Sequence, residues 1–170
     1  MITRRSFVLF GVAGFASACG SRVRADATDS ALEPQETYEV MHTAAEWRKL
    51  LTRGQYSILR REDTEFPFTS PLLKEKRKGV YACAGCGLDL FSSETKFDSG
   101  TGWPSFWAPL ENAIKKKRDM SLDMMRIAVL CRRCGGHQGH VFNDGPPPTG
   151  LRYCINGVAL TFAPAEAGPA

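Results

Sequence analysis

Gly150-Leu151-Arg152-Tyr153-Cys154-Ile155-Asn156-Gly157, running on into Val158-Ala159-Leu160-Thr161-Phe162, is the stretch on which the reading of this chain turns. It follows the stiff run Pro146-Pro147-Pro148-Thr149 and passes into an apolar segment, so it reads as a buried strand. Successive side chains on a strand point to opposite faces. Tyr153 and Ile155 therefore share the core face, while Arg152, Cys154 and Asn156 share the other. One thiol is thereby set between a permanent cation and an amide, and a neighbouring guanidinium favours the thiolate, which is the nucleophilic form. A buried structural cysteine is the plainer alternative, but it gives no reason for Arg and Asn on its own face.

The other cysteines divide by position. Cys83-Ala84-Gly85-Cys86-Gly87 and Cys131-Arg132-Arg133-Cys134-Gly135 are both CxxC followed by glycine, and Cys19 stands alone near the start. Two thiolates on a tight turn form a zinc knuckle, and two knuckles supply the four ligands of a closed tetrahedral site. Cys83, Cys86, Cys131 and Cys134 are thus the expected ligands of one structural Zn2+, which contributes folding energy and leaves no open position for chemistry. Two disulfides in an oxidising compartment are the competing reading of the same residues.

From Gly79 onward short apolar runs are separated by Gly, Pro, Ser and Asp, which predicts antiparallel sheets. The strand candidates are Val80–Ala82, Asp89–Phe91, Ile127–Leu130, His140–Phe142, Leu151–Asn156 and Val158–Phe162. Lys115-Lys116-Lys117-Arg118 reads as a solvated loop. Upstream, Thr43-Ala44-Ala45-Glu46 and Thr52-Arg53-Gly54-Gln55 are capping boxes that open two short helices, the first with Trp47, Leu50 and Leu51 on its core face. The chain is expected to be mainly β, with antiparallel sheets, short N-terminal helices and a four-cysteine zinc site.

Charge excludes one class of partner. The chain carries 22 basic and 18 acidic residues. Arg4, Arg5, Arg22 and Arg24 account for the whole difference, so the body carries no net charge and nothing favours nucleic acid. Those arginines belong to an expected export signal, residues 1–25, in which Thr3-Arg4-Arg5-Ser6-Phe7-Val8-Leu9 resembles a twin-arginine motif and an apolar run continues to Ala18. That run is too short to span a bilayer. Val23-Arg24-Ala25 offers cleavage before Asp26, whereas Ala16-Ser17-Ala18-Cys19 resembles a lipoprotein box and would place a lipid anchor at Cys19. Residues 26–42 read as a linker, 43–162 as the domain and 163–170 as a disordered tail, and the location expected is the periplasm of a bacterium.

Gly100-Thr101-Gly102-Trp103-Pro104-Ser105-Phe106 and His137-Gln138-Gly139-His140-Val141-Phe142, taken with both knuckles, the Asp144-Gly145-Pro146 turn and Arg152-Tyr153-Cys154-Ile155-Asn156, form an ordered motif set. From about Trp47 to Phe162 the chain resembles a B-type methionine sulfoxide reductase, the class acting on the R epimer. The resemblance implies two antiparallel sheets, a zinc site away from the active centre, and thiol-dependent reduction of methionine sulfoxide, free or in oxidised proteins. Cys154 would be the nucleophile. His137, His140, Asp144 and Asn156 would surround the sulfoxide oxygen, Arg152 would lower the thiol pKa, and Trp103 with Phe142 would receive the substrate. Either histidine, with an ordinary pKa near ~6.5, can supply a proton near neutrality. The product on the enzyme would be a sulfenic acid, cleared by a thioredoxin-like or other thiol reductant, and a monomer is expected.

The chain departs from the family at two places. Thr101 stands where many members carry a resolving cysteine, and Arg126-Ile127-Ala128-Val129 lacks the polar residues usual after the arginine. A zinc-ribbon-like binding module without catalysis is the alternative of a different class. The Arg/Cys/Asn face and the His137/His140 pair speak against it.

Overall fold

The structure is a computed structural model that describes residues 37–121 and 124–166. The expected export signal with Cys19, most of the linker and residues 167–170 of the tail lie outside the described residues.

Both capping boxes form. Thr43 accepts from the Glu46 N–H and Glu46 accepts from the Thr43 N–H, opening helix α1, Ala44–Leu50. Thr52 and Gln55 do the same for helix α2, Arg53–Arg61. Each reciprocal pair satisfies two of the backbone N–H groups a helix start leaves orphaned. Trp47 and Leu51 are buried as the pattern predicts, but Leu50 is exposed. The helix ends at Leu50 and Leu51 is its extended C-cap, so the i, i+3, i+4 stripe breaks there.

The strands are β1 Gly79–Cys83, β2 Asp89–Ser92, β3 Lys96–Phe97, β4 Ser105–Phe106, β5 Ile114–Asp119, β6 Arg126–Cys131, β7 His137–Phe142, β8 Arg152–Ile155 and β9 Leu160–Pro164. They pair antiparallel into a three-stranded sheet, β2-β1-β9, and a six-stranded sheet, β3-β4-β8-β7-β6-β5. Tyr81 and Phe91 from the small sheet meet Phe106 and Tyr153 from the large one. Phe91 stacks on Phe106 at 4.4 Å and Tyr81 meets Phe106 edge-on at 5.0 Å between ring centroids. All four rings are buried, so this aromatic cluster fixes the faces. Tyr153 and Ile155 are core residues, as strand alternation requires.

Four readings are corrected. The lysine run is strand β5 at the edge of the large sheet rather than a loop. Strongly charged residues on an edge discourage pairing with another chain, and charge of that density hid the strand. Val158 lies in a single 3-10 turn, Gly157–Ala159, and β9 begins only at Leu160. That strand then runs through Ala163 and Pro164, two residues into the expected tail, and pairs Pro164 with Gly79. The end of the linker is also part of the body: the Val40 N–H donates to the Arg133 carbonyl at 3.0 Å, and Glu39 pairs with Arg132 and Arg133.

Candidate active site

The two CxxC turns have the same backbone. The Cys83 N–H donates to the Leu88 carbonyl and the Gly87 N–H to the Cys83 carbonyl, both at 2.8 Å. The Cys131 N–H donates to Gly136 at 2.8 Å and Gly135 to Cys131 at 2.9 Å. Gly87 and Gly135 adopt φ of 71° and 67°, the left-handed conformation that glycine takes without penalty. The four sulfurs converge within 4.8 Å of one another. Cys83 and Cys134 sulfurs lie 3.7 Å apart, and those of Cys86 and Cys131 3.5 Å. Four thiolates around one ion with metal–sulfur bonds of ~2.3 Å would stand about 3.8 Å apart. The site therefore has the size for a metal ion, and its sulfurs are well beyond the ~2.05 Å of a disulfide. It joins the end of β1 in one sheet to the end of β6 in the other.

Strand β8, between β4 and β7, builds the second site. Register places Ser105, Cys154, His140 and Ala128 in one row across the large sheet, with Arg152 paired to Phe142 in the next row on the same face. His137 stands three residues before His140, and regular alternation would send the two rings to opposite faces. A bulge resolves this: Val129 pairs with Gly139 but Leu130 pairs with His137, so β7 carries one extra residue. The rings then meet edge-on, 5.2 Å between centroids. Gly139, φ 154°, is required at the bulge because a Cβ there would collide with the Cys154 carbonyl oxygen.

Cys154 opens into a cavity of about 140 Å3 lined by Thr64, Trp103, Arg126, His140, Phe142 and Asn156. Burial raises its pKa, and Thr101, Arg152 and Ser105 pull it down without overcoming that desolvation. Arg152 acts towards a lower thiol pKa, and the low-dielectric surroundings outweigh it. The Thr101 hydroxyl sits 3.8 Å from the Cys154 sulfur and 2.8 Å from the Ser99 hydroxyl, which in turn lies 2.7 Å from Ser105. A chain of hydroxyls thus ends on the thiol.

Arg152 is locked by Asp144, its Nε donating at 2.9 Å and a terminal nitrogen at 2.8 Å, and it stacks over Phe142 at 4.5 Å. Asp144 does not line the cavity; it holds the arginine, and that ion pair keeps its carboxyl below the usual range. Asn156 lines the cavity, yet its Oδ1 accepts from the Glu65 N–H at 3.0 Å and its Nδ2 donates to the Gln138 carbonyl at 3.1 Å. It clamps the wall more than it faces a ligand. Trp103 is fixed by its indole N–H, which donates to the Glu65 carbonyl at 3.1 Å.

The histidines differ in kind. His137 is buried, neither ring nitrogen has a partner, and desolvation followed by the proximity of His140 lowers its pKa to about 4. It is neutral at neutral pH. His140 Nε2 lies 2.7 Å from Asp119 Oδ2, which also accepts from Arg126 at 2.7 Å. Ser121, then His140 and Arg126, hold the Asp119 carboxyl well below its ordinary range, so it is an ionised acceptor. His140 must therefore donate from Nε2, which leaves Nδ1 as the nitrogen free for chemistry.

Asp119 and Arg126 were not legible as site residues. Asp119 ends the basic run whose strand character was hidden, and only the β5–β6 pairing carries it to His140. Gln138 was missed too: its Nε2 approaches the Cys83 sulfur at 3.4 Å while its carbonyl holds Asn156, so one buried residue joins the metal-size site to the catalytic wall.

With the other four described thiols gathered on one another, Cys154 is the sulfur left to react, and the class this defines is the cysteine-dependent oxidoreductases. The family described as the SelR domain matches residues 51–164. A peptide methionine sulfoxide reductase MsrB of Leptospira interrogans is 55% identical over 126 residues, 74% of this chain and 96% of that protein. Its counterpart from Methanosarcina barkeri is 56% identical over 124 residues, 72% of this chain and 87% of that protein. The Agrobacterium fabrum MsrB is 52% identical over 127 residues, 74% of this chain and 94% of that protein. The chain belongs to the B-type peptide methionine sulfoxide reductase family.

Proposed function

We propose that this protein reduces methionine-R-sulfoxide to methionine at Cys154 and is returned to its starting state by an external thiol. The observation that carries the reading is the placement of the Cys154 sulfur in a small cavity walled by Trp103 and Phe142 on its apolar side and by His140 and Arg126 on its polar side. The aromatic wall suits a methyl group and the polar wall an S–O dipole.

The Cys154 sulfur attacks the sulfoxide sulfur to form an S–S bond, and the oxygen then passes to Cys154 as both that S–S bond and the substrate S–O bond break. The substrate sulfur gains two electrons and leaves as methionine, while Cys154 loses two and keeps the oxygen as a sulfenic acid. The thiol proton lost on attack balances the proton delivered to the oxygen, so no net proton is consumed. Arg152 and Thr101 stabilise the thiolate during attack. His140, oriented by Asp119 through Nε2, takes the thiol proton on Nδ1 and passes it to the oxygen, with the neutral ring of His137 packed against it. An incoming thiol then condenses with the sulfenic acid, releasing water, and a second thiol frees Cys154 as a disulfide forms between the two reductants.

The four-cysteine site fits zinc, and Cys83, Cys86, Cys131 and Cys134 would hold it. Closed thiolate coordination supplies folding energy. Export by a twin-arginine route to a bacterial periplasm is proposed from Arg4-Arg5 and the apolar run behind them, with Cys19 lipidation as the other outcome. The reductive half-reaction alone tests the activity: stoichiometric sulfoxide with no reductant should give methionine and an oxygen on Cys154, and Cys154→Ser should give neither.

A further inference from the structure

Glu65 lies in the irregular segment between α2 and the 3-10 turn Pro71–Lys74, and all of its polar groups are engaged. Its N–H donates to Asn156 Oδ1 at 3.0 Å, and its carbonyl accepts the Trp103 indole N–H at 3.1 Å. Both of those partners line the cavity with Cys154. The carboxylate of Glu65 accepts from the Gly157 N–H at 2.5 Å and from the Val158 N–H at 3.0 Å, one oxygen to each. Burial raises its pKa and the two N–H groups hold it down, so the same bonds favour the charged form.

The β4–β8 ladder explains why a third segment is needed there. Ser105 pairs with Cys154, and the Ile155 N–H donates to the Pro104 carbonyl at 2.9 Å. Continued register would set Trp103 opposite Asn156, but β4 begins at Ser105 and β8 ends at Ile155. The ladder has opened, and Glu65 bonds to both strand extensions. Asn156 stands at the N-cap of the turn Gly157–Ala159, where an Asn side chain ordinarily accepts from the N–H groups that follow it. It makes no such bond. Its oxygen goes to the Glu65 N–H, and the Glu65 carboxylate takes the turn's N–H groups in exchange. Such charge-assisted bonds are roughly twice as strong as neutral ones. The approach is close: a Cβ at Gly157 would fall 1.9 Å from the Ser70 hydroxyl oxygen, further along the same segment.

We propose that Glu65 is a positioning residue for the sulfoxide cavity: its carboxylate, anchored on the Gly157 and Val158 N–H groups, sets the backbone that holds the Trp103 indole and the Asn156 amide in the cavity wall. The inference rests on the reading of the cavity as the methionine sulfoxide site. Glu65 is not among the residues lining the cavity, so it acts through Trp103 and Asn156. The Phe68 N–H also ties this segment to the Gly102 carbonyl, at 2.7 Å, but that bond leaves the indole free to turn about its own torsions. His140 and Arg152 are held separately, by Asp119 and Asp144. Glu65 therefore governs how tightly and how selectively the sulfoxide methyl group is received, and the transfer of oxygen is left to the other groups.

The test is single-turnover reduction with no reductant, following methionine release against sulfoxide concentration for Glu65→Gln, Glu65→Ala and the unsubstituted chain. Gln keeps an oxygen for Gly157 but turns a donor towards Val158, and Ala keeps neither bond. The half-saturating concentration of methionine-R-sulfoxide should rise in the order unsubstituted, Gln, Ala, by about tenfold at the end of the series, as loss of a hydrogen bond to a charged group allows. The saturating rate and the alkylation rate of Cys154 should stay within about twofold, since the transition-state groups are untouched. Preference for methionine-R-sulfoxide over ethionine-R-sulfoxide should shrink in the same order, because the methyl pocket loosens. Trp103→Phe removes the indole N–H, and Glu65→Gln/Trp103→Phe should be impaired by less than the product of the two single effects. That comparison keeps the test decisive if Glu65→Ala does not fold. A half-saturating concentration unchanged in the Glu65 variants, with only their melting temperatures lowered, overturns the proposal, because Glu65 would then support the fold alone. So does a saturating rate that falls together with Cys154 alkylation, or single effects that multiply in the double variant. Absence of methionine from the unsubstituted protein would instead overturn the functional reading beneath it.

Discussion

Replacing Thr101 by cysteine should convert the way this enzyme is regenerated. The Thr101 hydroxyl lies 3.8 Å from the Cys154 sulfur, so a sulfur in its place needs to travel roughly 2 Å to reach the ~2.05 Å of a disulfide. Gly100 flanks the position with nothing within 4 Å of where its Cβ would be, which leaves the segment room to move. Residues 101 and 154 are 53 apart in sequence, and closing a loop of that length removes about 4 kcal/mol of unfolded-state entropy. In Thr101→Cys, one equivalent of sulfoxide should give methionine and an internal disulfide with no oxygen retained. The unsubstituted protein should keep the oxygen on Cys154. Mass spectrometry of non-reduced peptides reads both outcomes. The oxidised variant should also melt on the order of 10 °C above its reduced form. A variant that still accumulates sulfenic acid, or an unsubstituted domain that forms an internal disulfide, would refute the placement of residue 101.

The remaining expectations concern the two sites separately. Metal analysis should find one zinc per chain, and Cys83→Ser should lose it and unfold at lower temperature, because three ligands forfeit much of the binding energy that supports the fold. Asp119→Asn should keep the zinc but lower kcat by about tenfold or more with KM little changed, since His140 loses the charge that orients its proton donor. Burial sets the Cys154 pKa above an ordinary thiol, so its alkylation rate should climb into the alkaline range. Arg152→Met removes a group that favours the thiolate, so the midpoint of that profile should move to still higher pH and alkylation at neutral pH should slow.

Much of the architecture was legible because it rests on local chemistry. The capping boxes at Thr43 and Thr52, the alternation in β8 and the two glycine-closed CxxC turns each satisfy their own backbone, so spacing alone declares them. What was not legible depends on pairing. The lysine run becomes a strand only because β6 lies beside it, and Asp119 reaches His140 only through that pairing. The His137–His140 meeting depends on one bulged residue, which no alternation pattern contains. The Arg152 effect on the thiol is visible in sequence, whereas the desolvation that outweighs it depends on packing.

The central claim is that one sulfur, Cys154, takes the oxygen. The most direct measurement mixes the protein with one equivalent of methionine-R-sulfoxide, without reductant, and follows methionine released alongside the mass of the Cys154 peptide. One methionine per chain, one oxygen gained on Cys154, no reaction with the S epimer and no product from Cys154→Ser are the predicted results. Turnover by Cys154→Ser, oxygen on a different residue or reduction of the S epimer alone would contradict the account.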